Sequence, residues 1–206
     1  MDWILTMPIG FRLLFLFVIG MILGSFLNWA IYQLCYNPRK ISPWSAPEEK
    51  APKRHWTDRL PFIGWLGLAR EGEIHGKLFW VRPMLIELAC GVGLAWLYLW
   101  EIEDKGLHDW VLAVIPPTFA DLHVQFLSHV VLFALLIAAT FIDLDEKTIP
   151  DAITVPGTLV GLLFAGLWPA SLLPDYPTST GAYTTCLLYT SPSPRDATLS
   201  RMPSSA

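Results

Sequence analysis

The sequence predicts an all-α membrane protein in which about four transmembrane helices form part of a larger polytopic bundle. Hydrophobic residues make up 53% of the 206-residue chain and charged residues only 16%, whereas soluble proteins carry roughly 25% charged residues. The mean hydropathy is +0.45, and the apolar residues are grouped in long runs. The longest of these runs approach or exceed the roughly 20 residues that a helix needs to cross a bilayer.

Four apolar runs supply the predicted spans, namely 11–34, 83–100, 124–142 and 152–173. The first is too long for a signal peptide, and no small-residue cleavage site follows it. Within it, Gly20 and Gly24 form a GxxxG pattern that lets another helix approach closely. Asn28 lies one turn further on and is expected to hydrogen-bond across the same contact.

Basic residues are concentrated between the first and second spans. This loop, 36–82, holds nine of them: Arg39, Lys40, Lys50, Lys53, Arg54, Arg59, Arg70, Lys77 and Arg82. The loop between the second and third spans holds only Lys105. Because Lys and Arg favour the cytoplasmic side, the loop 36–82 and the turn between the third and fourth spans are expected there. Aromatic residues within the loop predict a small folded unit or a layer on the lipid headgroups, rather than a substrate contact.

The cysteines and the charge exclude some classes of function. Cys35 and Cys90 lie in or beside apolar runs, and neither has a partner at metal-ligand spacing. Neither a disulfide framework nor a metal site is therefore predicted. The net charge of −4 is small and gives no indication of a nucleic-acid partner.

The segment FIDLDEKTIPD, at the end of the third span, carries four acids: Asp143, Asp145, Glu146 and Asp151. Pro150 cannot continue a helix, so a short helix-to-helix connection is predicted after residue 142. A low dielectric at a membrane boundary favours the protonated form of an acid. Two acids that share a proton can activate water for peptide cleavage.

Other interpretations compete with this one. Asp151 alone is well placed as the N-cap of the fourth helix. A calcium loop is excluded because Lys147 and Thr148 stand where such a loop needs an oxygen ligand and a glycine. An ion-translocating acid of a transporter stays open, since buried charges are also typical of transporters. The residues alone do not decide between protease and transporter.

Glu87 is the second acid within the apolar spans that needs an explanation. It lies near the start of the second span, and either Arg82 or a polar group of the first span could be its partner. A structural role is favoured over a contribution to the active site, because an acid at membrane depth requires a partner.

Three segments, taken in order, resemble the prepilin peptidases, the A24 family of membrane aspartyl proteases also called type IV leader peptidases. They are GMILGSFLNWAIYQL, DRLPFIGWLGLAREGEIHGKLFWVRPMLIELACG and ATFIDLDEKTIPDAITVPGTLVGLLFA, and they cover most of residues 14–166. The resemblance implies an N-terminal peptidase region over 11–100. It also implies the beginning of the peptidase core over 124–183.

By this resemblance, Asp143 is the first catalytic aspartate, and Asp145 and Asp151 are neighbours that shape the turn. Asp145 and Glu146 are expected to be solvated. The implied reaction removes the short basic leader from prepilin or pseudopilin precursors at the cytoplasmic face of the bacterial inner membrane. Many members also methylate the new amino terminus with S-adenosylmethionine, so methylation is a further expectation.

The chain departs from the family pattern in two ways. Many members carry two C-x-x-C pairs in the cytoplasmic loop, but no cysteine follows Tyr36 in this loop, so zinc is not expected. The family's second catalytic aspartate lies in a G-x-G-D segment, and the chain has none. We therefore expect the 206-residue chain to be inactive by itself, since one carboxylate cannot serve as both acid and base.

The last residues have a different composition from the rest. After Tyr183 the chain becomes rich in Ser, Pro and Thr, and CLLYTSPSPRD resembles one reading frame of a sequencing adapter. Residues 186–206 are therefore expected to be adapter read-through, with an ordinary disordered tail as the alternative. The rival function is a non-catalytic polytopic membrane protein, such as a transporter or assembly factor, whose acids are structural.

Overall fold

The computed structural model describes residues 7–47, 51–107 and 118–168, together with the backbone of two short strands. The helices are α1 (Ile9–Leu34), α2 (Ile63–Leu68), α3 (Gly72–His75), α4 (Val81–Tyr98), α5 (Phe119–Glu146) and α6 (Asp151–Leu167). A π-helical turn, Leu99–Glu103, extends α4. The strands Tyr176–Pro177 and Tyr183–Thr184 form a two-residue antiparallel pair. The described part of the chain is otherwise helical or irregular, which confirms the all-α class.

Three of these helices are long and apolar enough to cross a membrane: α1, α4 with its π-helical extension, and α5. The fourth predicted span corresponds to α6, which has 17 residues and ends at Leu167. Residues 169–173 of that predicted span lie outside the described residues. The described residues thus contain three helices of spanning length and one shorter apolar helix.

Helices α1 and α4 approach each other closely at two glycines of α1. An added Cβ at Gly20 would lie 2.5 Å from the carbonyl oxygen of Cys90, and one at Gly24 would lie 2.7 Å from the Cα of Glu87. Only glycine therefore lets the two backbones approach this closely. The predicted GxxxG contact is confirmed.

Helix α5 is longer at both ends than its predicted apolar run, 124–142. At its start, the Thr118 side chain accepts a hydrogen bond from the Asp121 amide (3.2 Å), and the Asp121 carboxylate accepts one from the Thr118 amide (3.1 Å). This is a capping box. At its end, Lys147 adopts a left-handed conformation (φ 55°), and its amide donates to the carbonyl of Asp143 at 2.7 Å. The predicted short connection to the next helix is present at residues 147–150, but its predicted start after residue 142 is wrong, because the last turn of α5 extends through Glu146.

The loop 36–82 folds into a small unit of short helices. Besides α2 and α3 it contains two 3-10 turns, Trp56–Arg59 and Ala69–Glu71. Trp65 and Leu68 of α2 are buried and belong to the main hydrophobic core, whereas Trp56 is 75% exposed. The predicted folded unit is thus present, and it still leaves aromatic surface outside its core.

A buried ion pair holds the two halves of this loop together. The guanidinium of Arg54 donates two hydrogen bonds to the carboxylate of Glu71, each 2.8 Å long. It also donates to the backbone carbonyls of Ser42 and Ser45 at 2.9 Å. Glu71 is fully buried, so its charge is matched by the guanidinium within the loop.

Candidate functional site

The four acids at the end of α5 and the start of α6 have different surroundings. Asp143 is exposed in the last turn of α5. Its carboxylate makes no hydrogen bond or ion pair with any residue in the described ranges, although its backbone carbonyl accepts the Lys147 amide. Asp143 is therefore free to contact water or a bound molecule.

Asp145 is held by basic side chains. Arg82, at the start of α4, donates to its carboxylate at 2.7 Å and to the Phe141 carbonyl at 3.1 Å. Arg39 lies 3.7 Å from the other carboxylate oxygen. The Asp145 side chain is only 17% exposed, so the expectation that it is solvated is wrong. The two arginines also offset the unfavourable position of an acid at a helix carboxyl end.

The carboxylate of Glu146 also has partners within the protein. Its carboxylate accepts hydrogen bonds from the backbone amides of Tyr36 at 2.7 Å and Asn37 at 3.0 Å. These amides directly follow the end of α1, so the contact joins α1 to α5 across 110 residues of chain. Glu146 is only partly covered, so its carboxylate stays in contact with solvent as expected while it binds these two backbone amides.

Asp151 does not cap α6 as predicted. Pro150 occupies the N-cap position in an extended conformation (φ −68°, ψ 144°), and no side-chain capping hydrogen bond is present. Asp151 is instead the first helical residue and is exposed. A carboxylate in the first turn still interacts favourably with the helix dipole. Asp143 and Asp151 are thus two exposed acids on either side of the turn 147–150.

Glu87 is the centre of a buried hydrogen-bond network. Its carboxylate is fully buried and accepts from the Asn28 side chain at 3.3 Å, the Phe62 amide at 2.5 Å and the Trp65 indole at 2.9 Å. Asn28 also donates to the carbonyl of Pro83 at 2.9 Å. The predictions that Asn28 bonds across the helix contact and that the first span supplies a partner for Glu87 are confirmed. The alternative partner, Arg82, binds Asp145 instead.

Sequence reasoning missed a second group of charged residues at the opposite end of the bundle. Arg12 of α1 forms an ion pair with Glu103 at 2.6 Å and donates to the Tyr98 hydroxyl at 3.1 Å. His129 of α5 lies 2.6 Å from the buried carboxylate of Glu101. The signal was visible in the sequence, because ionisable residues beside or within apolar spans require partners.

The described residues offer little metal chemistry. Within them, no group of three or more His, Cys, Asp or Glu side chains is placed to hold a metal ion. The thiol of Cys35, just after α1, has two backbone carbonyls within reach of its single S–H, that of Tyr32 at 3.3 Å and that of Asn37 at 3.1 Å. Burial raises the pKa of this thiol, which makes it a poor nucleophile at neutral pH.

The fold and these contacts define a polytopic helical membrane protein that presents exposed acids at one end of its bundle. Residues 18–101 match the bacterial peptidase A24 N-terminal domain, and residues 130–197 match the type IV leader peptidase family. The chain belongs to the type IV leader peptidase family. The second match includes part of the stretch 186–206, which lies outside the described residues, and the adapter origin of that stretch stays a prediction.

Curated relatives support the same family. The chain is 30% identical over 151 residues to a prepilin leader peptidase/N-methyltransferase of Myxococcus xanthus (strain DK1622), covering 73% of this chain and 39% of the relative. A protein of the same name from Neisseria gonorrhoeae is 28% identical over 175 residues, covering 71% and 53%. The chain spans about half the length of the curated relatives it matches. No solved structure matches it.

Proposed function

We propose that the protein is an aspartic endopeptidase that removes leader peptides from type IV prepilins or pseudopilins, and that Asp143 is one of its two catalytic carboxylates. The observation that carries this proposal is the contrast within the last turn of α5. Asp145 and Glu146 are bound by partners from α4 and from the end of α1, whereas the Asp143 carboxylate is exposed and has no partner among the described residues. A carboxylate that acts on water must be accessible.

The ion pair of Asp145 with Arg82 and the hydrogen bonds of Glu146 with the Tyr36 and Asn37 amides would serve this chemistry, because they hold the end of α5 in place. In a paired-aspartate mechanism, one ionised carboxylate takes a proton from the attacking water while its protonated partner hydrogen-bonds the scissile carbonyl. Asp143 would be one of these two groups. The family resemblance assigns the other to a G-x-G-D segment that this chain lacks, and the geometry leaves Asp151 as an alternative because it is exposed across the same turn.

The proposal includes the location of the reaction. The basic loop 36–82 supports a cytoplasmic position for the Asp143 end of the bundle, in the bacterial inner membrane. Methylation of the new amino terminus is supported only by the names of the relatives. Among the described residues of the loop, the buried carboxylates are Asp58 and Glu71, and they are already paired with Arg70 and Arg54. Neither is free to bind the ribose or amino group of S-adenosylmethionine.

The test is a leader-cleavage assay in bacterial membranes that lack their own prepilin peptidase. A prepilin substrate is incubated with the 206-residue chain and with a version extended by the genomic sequence that follows Tyr183. We expect cleavage only in the extended version and a loss of at least about 100-fold when Asp143 is replaced by Asn. Asp143→Asn should fold normally, because the carboxylate has no partner in the described residues to lose. Mass spectrometry of the product reports both the cleavage site and any added methyl group.

Asp151→Asn is the matched variant, because Asp151 is also an exposed acid beside the same turn. Retained cleavage in Asp151→Asn supports the pairing of Asp143 with a later aspartate. If Asp143→Asn and Asp151→Asn lost cleavage activity equally, the two catalytic carboxylates would instead be Asp143 and Asp151. Cleavage by Asp143→Asn at the unmodified rate would refute the proposal and favour a non-catalytic membrane protein. Cleavage by the 206-residue chain alone would refute its expected inactivity.

A further inference from the structure

A groove of about 560 Å³ opens between α1 and the loop 36–82. Ile22, Phe26 and Trp29 of α1 form one wall, and Trp44 and Arg59 of the loop form the other. The groove lies toward the carboxyl end of α1, where this helix meets the loop. It is separate from Asp143, which does not line it.

The α1 wall faces outward from the protein. Ile22 is 56% exposed and Phe26 is 58% exposed, although both belong to a helix that is long and apolar enough to span a membrane. The Phe26 ring is stacked on Trp29 with centroids 5.6 Å apart. On a spanning helix, such apolar surface is covered by lipid chains, because water there would be unfavourable.

The loop wall supplies a positive charge, the guanidinium of Arg59. The Arg59 guanidinium lies 5.6 Å from the centroid of the Trp44 ring, a cation–π contact, and no carboxylate pairs with it in the described ranges. Arg54 and Arg70 of the same loop are each paired with a buried acid. Trp44 contacts α1 through a long hydrogen bond, which its indole donates to the Ser25 hydroxyl at 3.4 Å. Arg59 therefore has free guanidinium donors that suit a phosphate.

We propose that this groove binds an anionic phospholipid, with the headgroup phosphate at Arg59 and an acyl chain along Ile22 and Phe26. The combination of a free guanidinium with an apolar wall on a spanning helix matches the two parts of a lipid. Leu60 and Ile63, close to Arg59 in the chain, are 42% and 61% exposed, as expected of a segment that lies in the headgroup layer. This inference does not depend on the proposed peptidase activity.

The test uses the full chain reconstituted in phosphatidylcholine vesicles that contain either brominated phosphatidylglycerol or brominated phosphatidylcholine. Bromine quenches tryptophan fluorescence at short range, and the difference between the unmodified chain and Trp44→Phe isolates the signal of Trp44. We expect stronger quenching of Trp44 by phosphatidylglycerol, and we expect Arg59→Gln to reduce this preference about fivefold. Arg59→Lys, which keeps the charge, should retain part of it.

Lys77→Gln is the matched control, since Lys77 is an exposed cation of the same loop that does not line the groove. It should leave the preference unchanged. An equal loss in Lys77→Gln and Arg59→Gln would overturn the proposal, because the attraction would then be a general effect of the basic loop. Equal quenching of Trp44 by the two lipids would also overturn it, as would the absence of any Trp44 quenching.

Discussion

Replacing Gly24 by Ala tests whether the contact between α1 and α4 is as close as the structure shows. The added Cβ would lie 2.7 Å from the Cα of Glu87, whereas ordinary contact begins at 3.4 Å. Because the obstacle is backbone, the two helices would have to separate by about 0.7 Å. This movement would also stretch the hydrogen bond between Asn28 and the Pro83 carbonyl. We expect the free energy of unfolding to fall by about 1–3 kcal/mol, as for other overpacked contacts.

Gly93→Ala is the control for this prediction. Gly93 lies on α4, and an added Cβ there would meet nothing within 4 Å. Alanine should therefore raise the free energy of unfolding by about 0.5–1 kcal/mol, through its better helix propensity. Both variants are unfolded in mixed micelles by titration with sodium dodecyl sulfate and followed by far-UV circular dichroism. Equal stability of Gly24→Ala and Gly93→Ala would refute the close contact, because both substitutions add the same methyl group.

Two further substitutions, measured in the same titration, compare a buried carboxylate with a partly exposed ion pair. Glu87→Gln should lower the free energy of unfolding by about 1–3 kcal/mol, because glutamine offers one acceptor oxygen to three donors, two of them fully buried. Unchanged stability would show that these hydrogen bonds are not formed. Arg82→Gln should lower the free energy of unfolding by less than about 1 kcal/mol, because the Arg82 side chain is 34% exposed and solvent screens its ion pair with Asp145. If Arg82→Gln lost more stability than Glu87→Gln, the expectation that the buried carboxylate contributes more than the partly exposed ion pair would be contradicted.

The bundle could be predicted because its signals are local in the chain. The apolar runs located α1, α4 and α5, and the small residues Gly20 and Gly24 predicted the close contact. The ends of α5 were missed for different reasons. Its start is marked by Thr118 and Asp121, a capping pattern that was readable in the sequence. Its end was placed too early because an apolar run indicates the thickness of a membrane, whereas the helix itself continues until Lys147 adopts a left-handed conformation ahead of Pro150.

The sequence by itself determined the class of fold, the family and the segment in which the acids lie. Only the tertiary structure separated Asp143 from its neighbours, and that separation depends on contacts between distant parts of the chain. Glu146 binds the amides of Tyr36 and Asn37, about half the chain away, and Asp145 binds Arg82 from the start of α4. Spacing along a sequence does not show which charges meet across a bundle, because that depends on how the helices pack. The same packing leaves Arg59 without an acidic partner in the described residues while Arg54 is buried against Glu71.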